Sequence, residues 1–174
     1  MSQIRPLAIC IFRNGGRILV GEGYDPVKRE TFYRPLGGGI EFGERAEETI
    51  QREVREEIGA EVASLQYLFT LENIFTFNGE PGHEIVMVYD GSLAEGALYE
   101  RDIIEGNEFD PFRKAPLKAV WMRIEEFGPD APLYPNGLLE RLRECFLSSR
   151  VSLENDQIQP NLPDRPQVYR MAVN

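Results

Sequence analysis

Histidine is nearly absent from this chain. His83 is the only one, and cysteine is limited to Cys10 and Cys145. A structural zinc site needs a tetrahedral set of Cys and His ligands, so that chemistry is excluded. Cys10 lies in an apolar strand-like run and Cys145 in a helical pattern. Both read as buried, reduced thiols of a cytoplasmic protein rather than a disulfide framework. Long apolar runs are missing too. None approaches the ~20 residues of a membrane-spanning helix, and no small-residue cleavage site follows the short apolar run near the N-terminus. Basic residues are few: 19 Lys and Arg against 29 Asp and Glu, a net charge of −10. Such a surface repels a nucleic-acid backbone and anionic lipid, so neither nucleic acid nor membrane is expected as a partner. It also repels an anionic small molecule, unless a cation stands between the two.

What is present suits an ordinary folded domain. The 174 residues are 42% hydrophobic and 28% charged, enough to bury one core without staples. One domain is expected over residues 1–150. The stretch 151–174 carries Pro160, Pro163 and Pro166 among polar residues and reads as a tail or surface arm, a candidate for packing across a homodimer. Along the domain, Pro6 to Phe12 predicts a buried strand. Asn14-Gly15-Gly16 then predicts a tight hairpin turn into Arg17 to Glu22. Thr31 to Arg34 is a short strand candidate, followed by a glycine-dense loop at Gly37, Gly38, Gly39 and Gly43, where the backbone must bend sharply or come close to something. Val62 to Phe77 is β-rich, as two strands or one bent strand. Asn78 to Gly82 is a turn cluster before a strand from His83. Glu95 to Arg113 reads as irregular, Ala119 to Ile124 as a strand with Trp121 as a core aromatic, and Pro135 to Ser148 as a second amphipathic helix. Strands and helices alternate with antiparallel hairpins, so the fold class is α/β: a mixed β-sheet with helices on both faces.

The segment Glu44 to Ile58 carries the chemistry. Ala46, Ile50, Val54 and Ile58 recur every four residues as an apolar stripe, and Gly59 supplies the left-handed cap. Glu53, Glu56 and Glu57 crowd one another at i, i+3 and i+4, a spacing that destabilises a helix by roughly 0.2–0.5 kcal/mol per like-charged pair. At roughly 100° per residue, Glu53 and Glu57 border the apolar stripe, whereas Glu56 leans towards solvent. Glu48, Arg52 and Arg55 project opposite the stripe. A solvated helix face with i,i+4 ion pairs is one reading. The other is a cation site, because half-buried carboxylates need a counter-charge and Mg²⁺ takes carboxylate oxygens plus substrate phosphates. The glycine segment before the helix could add a carbonyl to such an ion, and its amides could face a phosphate.

Gly38 to Ala60, GGIEFGERAEETIQREVREEIGA, resembles the Nudix box. That pattern is Gly, five residues, Glu, seven residues, Arg-Glu, an aliphatic, any residue, Glu-Glu, any residue, Gly, an aliphatic. Gly38, Glu44, Arg52, Glu53, Val54, Glu56, Glu57 and Gly59 match in register. Two departures are visible. Ala60 replaces a larger aliphatic, and Leu36 separates Pro35 from the glycines, where the family commonly puts proline directly before them. The resemblance implies a Nudix-like α/β/α sandwich and a Nudix hydrolase. It implies cleavage of a diphosphate linkage in a nucleoside diphosphate derivative, with Mg²⁺ or Mn²⁺ as cofactor. Carried residue by residue, it makes Glu53, Glu56 and Glu57 metal ligands, with the Gly37 carbonyl as a fourth. Arg52 becomes an orienting partner for a glutamate, against the alternative of a solvated helix arginine. Glu44 becomes a brace for the helix start.

The general base stays open among Glu56, Glu84, Glu105, Glu108 and His83, since the family draws it from different places. Arg34, Gly38 and Gly39 are candidates for substrate binding. Arg34 and Lys28 could meet phosphate or simply be solvated. Phe32, Tyr33 and Phe75 could stack a base, with core packing the plainer reading of each. The family's ADP-ribose branch tends to carry a proline beyond the box, and its dinucleoside-polyphosphate branch a tyrosine. Glu72 to Phe77 has neither, so the substrate is not legible. Two other readings compete: a non-catalytic nucleotide-sensing module on the same fold, and a structural protein whose acidic helix is merely solvated.

Overall fold

The computed structural model describes residues 3–110 and 115–144. The side chain of Glu108, Cys145, the expected helix beyond residue 144 and the 151–174 tail all lie outside the described residues. The elements run β1 (Ile4–Asn14), β2 (Arg17–Asp25), β3 (Glu30–Gly39), α1 (Ala46–Ile58), β4 (Val62–Phe77), β5 (Glu80–Leu93), β6 (Ile103–Asp110) and β7 (Ala115–Arg123). Short 3₁₀ turns occupy Gly96–Glu100 and Ile124–Glu126, and the chain is helical again over 138–144. The strands form a mixed sheet of order β4-β5-β1-β3-β2-β7-β6, in which β1 pairs parallel to β5 and antiparallel to β3.

The central strand explains its own sequence. β1 has helices over both faces, so it reads as an unbroken apolar run. Ala8, Cys10 and Phe12 face one core with Ile50, Val54 and Ile58 of α1 and with Leu19, Leu36 and Trp121. Leu7, Ile9 and Ile11 face the other with Ile18, Val20, Phe69, Leu138 and Leu142. The expected α/β/α sandwich is therefore present. Cys10 is fully buried, and that burial pushes its thiol well above the ordinary range, which makes it inert. Trp121 is a core aromatic, stacked on Tyr99 with ring centres 5.3 Å apart.

Several local expectations are corrected. The first hairpin turns on Gly15-Gly16 rather than Asn14-Gly15. Asn14 pairs with Arg17, and both glycines take positive φ. Asn78 and Gly79 (φ 51° and 80°) suffice for the second turn, and Pro81 and Gly82 belong to β5. Pro81 is tolerated because β1 pairing begins only at His83, so no ladder partner is lost on that side. β4 is one strand bent by irregularities near Ser64 and Leu68. Among the described residues, Glu95 to Arg113 is not irregular throughout, for Gly96–Glu100 is a 3₁₀ turn and Ile103–Asp110 is β6, paired with β7. Its polar residues suit an edge strand rather than a core one.

The glycine segment is corrected as well. Gly37, Gly38 and Gly39 are the end of β3, paired with Ile9, Ala8 and Leu7, and not a free loop. At Gly37, φ is 127° and an added Cβ would lie 2.3 Å from the Ala8 carbonyl oxygen. Only glycine keeps that strand in register against β1.

The two cores predict unequal responses on the 138–144 helix. Leu138 is fully buried and Leu139 only partly. Leu138→Ala is expected to lower unfolding free energy by about 2–5 kcal/mol, and Leu139→Ala by clearly less, in urea titrations.

Candidate functional site

The site grows from the contact between α1 and the end of β3. The helix begins at Ala46, two residues later than its acidic lead suggests. Arg45 is the N-cap, and its N–H donates to Glu48 Oε2 at 2.8 Å. Glu44 lies just outside and braces the entry. Its Oε2 accepts from Thr49 Oγ1 at 2.7 Å and from the Glu41 N–H at 3.2 Å. At the other end Gly59, at φ 69°, closes the helix with its N–H on the Arg55 carbonyl.

The three box glutamates take three different environments. Glu57 is buried at 9% exposure, and its Oε2 accepts from the Gly37 N–H at 3.0 Å. Glu53 is largely covered and lies against Gly38, where an added Cβ would fall 2.3 Å from its Oε1. The missing side chain of Gly38 is therefore a cradle for the Glu53 carboxylate. Glu56 is 61% exposed on its side chain. The projected order from stripe to solvent thus holds.

Arg52 was open between an orienting partner and a solvated arginine, and it is not solvated. Its guanidinium folds back over the glycine segment. Nε and Nη2 fork onto Glu44 at 2.9 and 3.0 Å, and Nη2 also donates to the Gly39 carbonyl at 3.0 Å. Nη1 donates to Glu53 at 2.8 Å and to Glu56 at 3.2 Å. Such a bidentate, charge-assisted fork fixes orientation as well as energy. The Arg52 hydrogen bonds, with help from Thr49 and the Glu41 amide, hold the Glu44 carboxyl down at about 2. The same carboxylates hold the Arg52 guanidinium above its ordinary range. The repulsion among the glutamates is thus largely answered within the protein.

Glu53 and Glu57 line a cleft of about 420 Å³ with Arg5, Glu22, Arg34, Gly37, Gly38 and Gly39. The Arg34 side chain has no hydrogen-bond or ion-pair partner among the described residues and lines this cleft. Glu56 does not line it. The carboxylates and glycine carbonyls offer only oxygen donors, the set that hard divalent cations take. Among the described residues, though, no three acidic, His or Cys side chains converge as a ready cluster. Arg52 draws Glu53 and Glu56 towards itself, and Gly37 holds Glu57. A cation could be met in place by Glu53 and Glu57, with Glu56 joining only by a side-chain rotation.

A second compartment of about 290 Å³ adjoins the first and shares Arg5, Phe32 and Arg34 with it. Phe32 and Phe75 line it rather than filling the core. Each ring lies over a glycine on the facing strand, Gly23 and Gly82, where a Cβ would be 2.3 Å away. Tyr33 does pack in the core, edge-on to Phe127 with centres 6.0 Å apart. Lys28 spans from the Asp25 carboxylate to the Thr76 carbonyl, at 3.7 and 2.7 Å, and so clasps β2 to β4. Among the base candidates, Glu84 lines the second compartment, Glu105 is exposed on β6, and His83 pairs with Glu72 at 2.9 Å outside both. The second compartment was not visible in the sequence. Its one signal was glycine opposite phenylalanine on paired strands.

The chain shares its family and fold with known proteins. The NUDIX domain model matches residues 2–140, so the chain belongs to the Nudix family. It is 45% identical over 65 residues to the human NAD(P)H pyrophosphatase NUDT13, covering 37% of this chain and 18% of that protein. It is 33% identical over 110 residues to the NAD-capped RNA hydrolase NudC of Mycobacterium tuberculosis, covering 58% and 34%. The chain thus spans about a third or less of these relatives. Among solved structures, a MutT NUDIX hydrolase from Burkholderia pseudomallei superposes at TM-score 0.56 and 19% identity, covering 91% of this chain and all of that one. A NUDIX hydrolase from Nitrosomonas europaea superposes at 0.58 and 17%, covering 84% and 90%. These last two likenesses concern the fold.

The Glu44 brace gives a pH-dependent prediction. Its carboxyl is depressed in the folded state, so its contribution is complete above the unfolded value of about 4.5 and fades as pH falls towards 2. Glu44→Gln is expected to lower the urea midpoint clearly at pH 7. The gap to wild type should close progressively below pH 4.

Proposed function

We propose that this protein hydrolyses a diphosphate linkage in a dinucleotide of the NAD type, using Mg²⁺ or Mn²⁺ held by Glu53 and Glu57. The observation that carries the proposal is the meeting of opposite needs in one cleft. Two covered carboxylates, aligned glycine backbone and the unpaired Arg34 line the same space. On a protein of net charge −10, a diphosphate needs both a bridging cation and a fixed one. The ion, once bound, would neutralise the diphosphate and polarise a water. The chain's own parts do the rest. Gly38 leaves room for Glu53, the Gly37 amide fixes Glu57, and Arg34 is free to take a phosphate oxygen. Arg52 keeps Glu53 and Glu56 oriented, and the exposed Glu56 would accept a proton from water in the cleft after swinging off Arg52.

The NAD-type assignment draws support from the names of the two relatives and from the neighbouring aromatic compartment, which suits the second half of a dinucleotide. A nucleic-acid backbone is disfavoured by charge. A diphosphate cap at the end of an RNA is a different ligand, and it belongs in the same assay.

The test is a substrate panel with product detection: NADH, NAD, ADP-ribose, a dinucleoside polyphosphate, nucleoside triphosphates and NAD-capped RNA, each with Mg²⁺ or Mn²⁺. Cleavage of the dinucleotides at the diphosphate is expected. It should be lost by about 10²-fold or more in Glu57→Gln and Gly38→Ala, in line with losses when groups placing transition-state charge are removed. A folded protein that cleaves none of them with either metal would sink the reading.

A further inference from the structure

Asp25, Glu30 and Glu84 are the carboxylates of the second compartment. Glu30 is taken up by a hydrogen bond with Tyr134, and Glu84 is the buried one that local backbone does not already saturate. Asp25, by contrast, accepts from the amides of Val27, Lys28 and Asn78 and is a loop anchor. Glu84 is 2% exposed, and a buried carboxylate persists only with partners. It has two. Arg5 donates to Oε1, and Asn73 Nδ2 donates to Oε2 at 3.2 Å. The orientation of Asn73 is fixed from behind, because its Oδ1 accepts the Asn136 N–H at 3.2 Å. The amide nitrogen therefore must face Glu84. Each carboxylate oxygen carries two lone pairs, so a single donor on each leaves acceptor capacity towards the compartment.

The surroundings define what such an acceptor would read. Phe32, Phe75, Phe77 and Tyr134 line the space with Asn73, Glu84 and Pro135. Phe32 meets Phe77 and Tyr134 edge-on at 5.9 and 5.7 Å, so its ring is locked. About 290 Å³ holds one flat ring system but not a whole dinucleotide. Aromatic walls favour a flat π-face. At the polar edge, a carboxylate accepts N–H donors and repels a carbonyl oxygen.

We propose that this compartment holds a heteroaromatic ring by its exocyclic amino group, with Glu84 as the specificity-determining acceptor. The shared chemistry is an –NH₂ on a flat ring, supplied either by adenine or by the carboxamide of nicotinamide. Arg5 lines both compartments and is held by Glu84, so the same carboxylate ties ring recognition to the diphosphate cleft. The assignment rests on reading the two compartments as one substrate cleft.

Binding without turnover tests it. Calorimetry with no metal would compare AMP with IMP, where a ring carbonyl beside a protonated N1 replaces the amino group, and nicotinamide mononucleotide with nicotinic acid mononucleotide, where a carboxylate replaces the carboxamide. In at least one pair the amino form should bind roughly 10–100-fold tighter, the range of a hydrogen bond to a charged group. The favoured pair identifies the ring. Glu84→Gln should bring that ratio down to within about threefold, since the neutral amide can turn a donor towards the carbonyl form. If that variant does not fold, the side-chain amide resonances of wild-type Asn73 decide. They should shift on adding the amino ligand and stay put with ribose 5-phosphate. Equal affinities within both pairs, or an unchanged ratio in folded Glu84→Gln, would overturn the proposal. Catalysis plays no part here. An amino preference in an inactive protein would leave Glu84 in place and remove the hydrolase, and turnover without the preference would do the reverse.

Discussion

With no side chain at residue 38, α1 lays the Glu53 carboxylate directly against the backbone of β3. A Cβ there would come within 2.3 Å of Oε1, a distance that non-bonded atoms do not adopt. From that contact the rest of the site follows. Because Glu53 lies flat on the strand, Arg52 can reach across it to the Gly39 carbonyl and fork onto Glu44. Because the helix sits so close, Glu57 meets the Gly37 amide. Gly37 itself can offer that amide only with its own Cβ missing, since β1 fills the space. Two adjacent glycines therefore serve opposite neighbours, one the helix and one the sheet.

This closeness also changes the meaning of the acidic helix. Like charges at i, i+3 and i+4 destabilise an isolated helix. In the folded chain, one guanidinium touches three of the acidic side chains around the site, and a backbone amide holds a fourth. The arrangement keeps the carboxylates ordered in a protein whose overall charge opposes an anionic ligand. Preorganisation of this kind is what lets a polar site act without rearranging at the moment of reaction.

Much of the architecture was legible from residue pattern. Ala46, Ile50, Val54 and Ile58 announced α1 and its buried face, and the placing of Glu53 and Glu57 beside that face, with Glu56 towards solvent, followed from helix geometry. The failures share one cause, which is that sequence spacing records where a residue is rooted and not how far it reaches. Arg52 is rooted opposite the apolar stripe, yet its long stem carries the guanidinium back eight positions to Glu44. Gly37 to Gly39 looked like a loop because glycine density marks either a bend or a close approach, and spacing alone does not say that here it is close approach within a paired strand. Glu95 to Arg113 looked irregular because β6 is an edge strand without alternating apolar residues. Phe32 and Phe75 looked like core because nothing local shows that each covers a glycine one strand away. Glu84 could not be paired with Arg5 and Asn73 before the register of β1, β4 and β5 was known.

The central claim is that Glu53 and Glu57, set by the two glycines, form the cation-binding edge of the cleft. Anomalous diffraction from crystals soaked with Mn²⁺ tests it most directly. A Mn²⁺ peak is expected in contact with the carboxylates of Glu53 and Glu57 in wild type, absent from the Glu57→Gln protein. A peak bound elsewhere on the chain, or one at this edge that persists unchanged in Glu57→Gln, would contradict it.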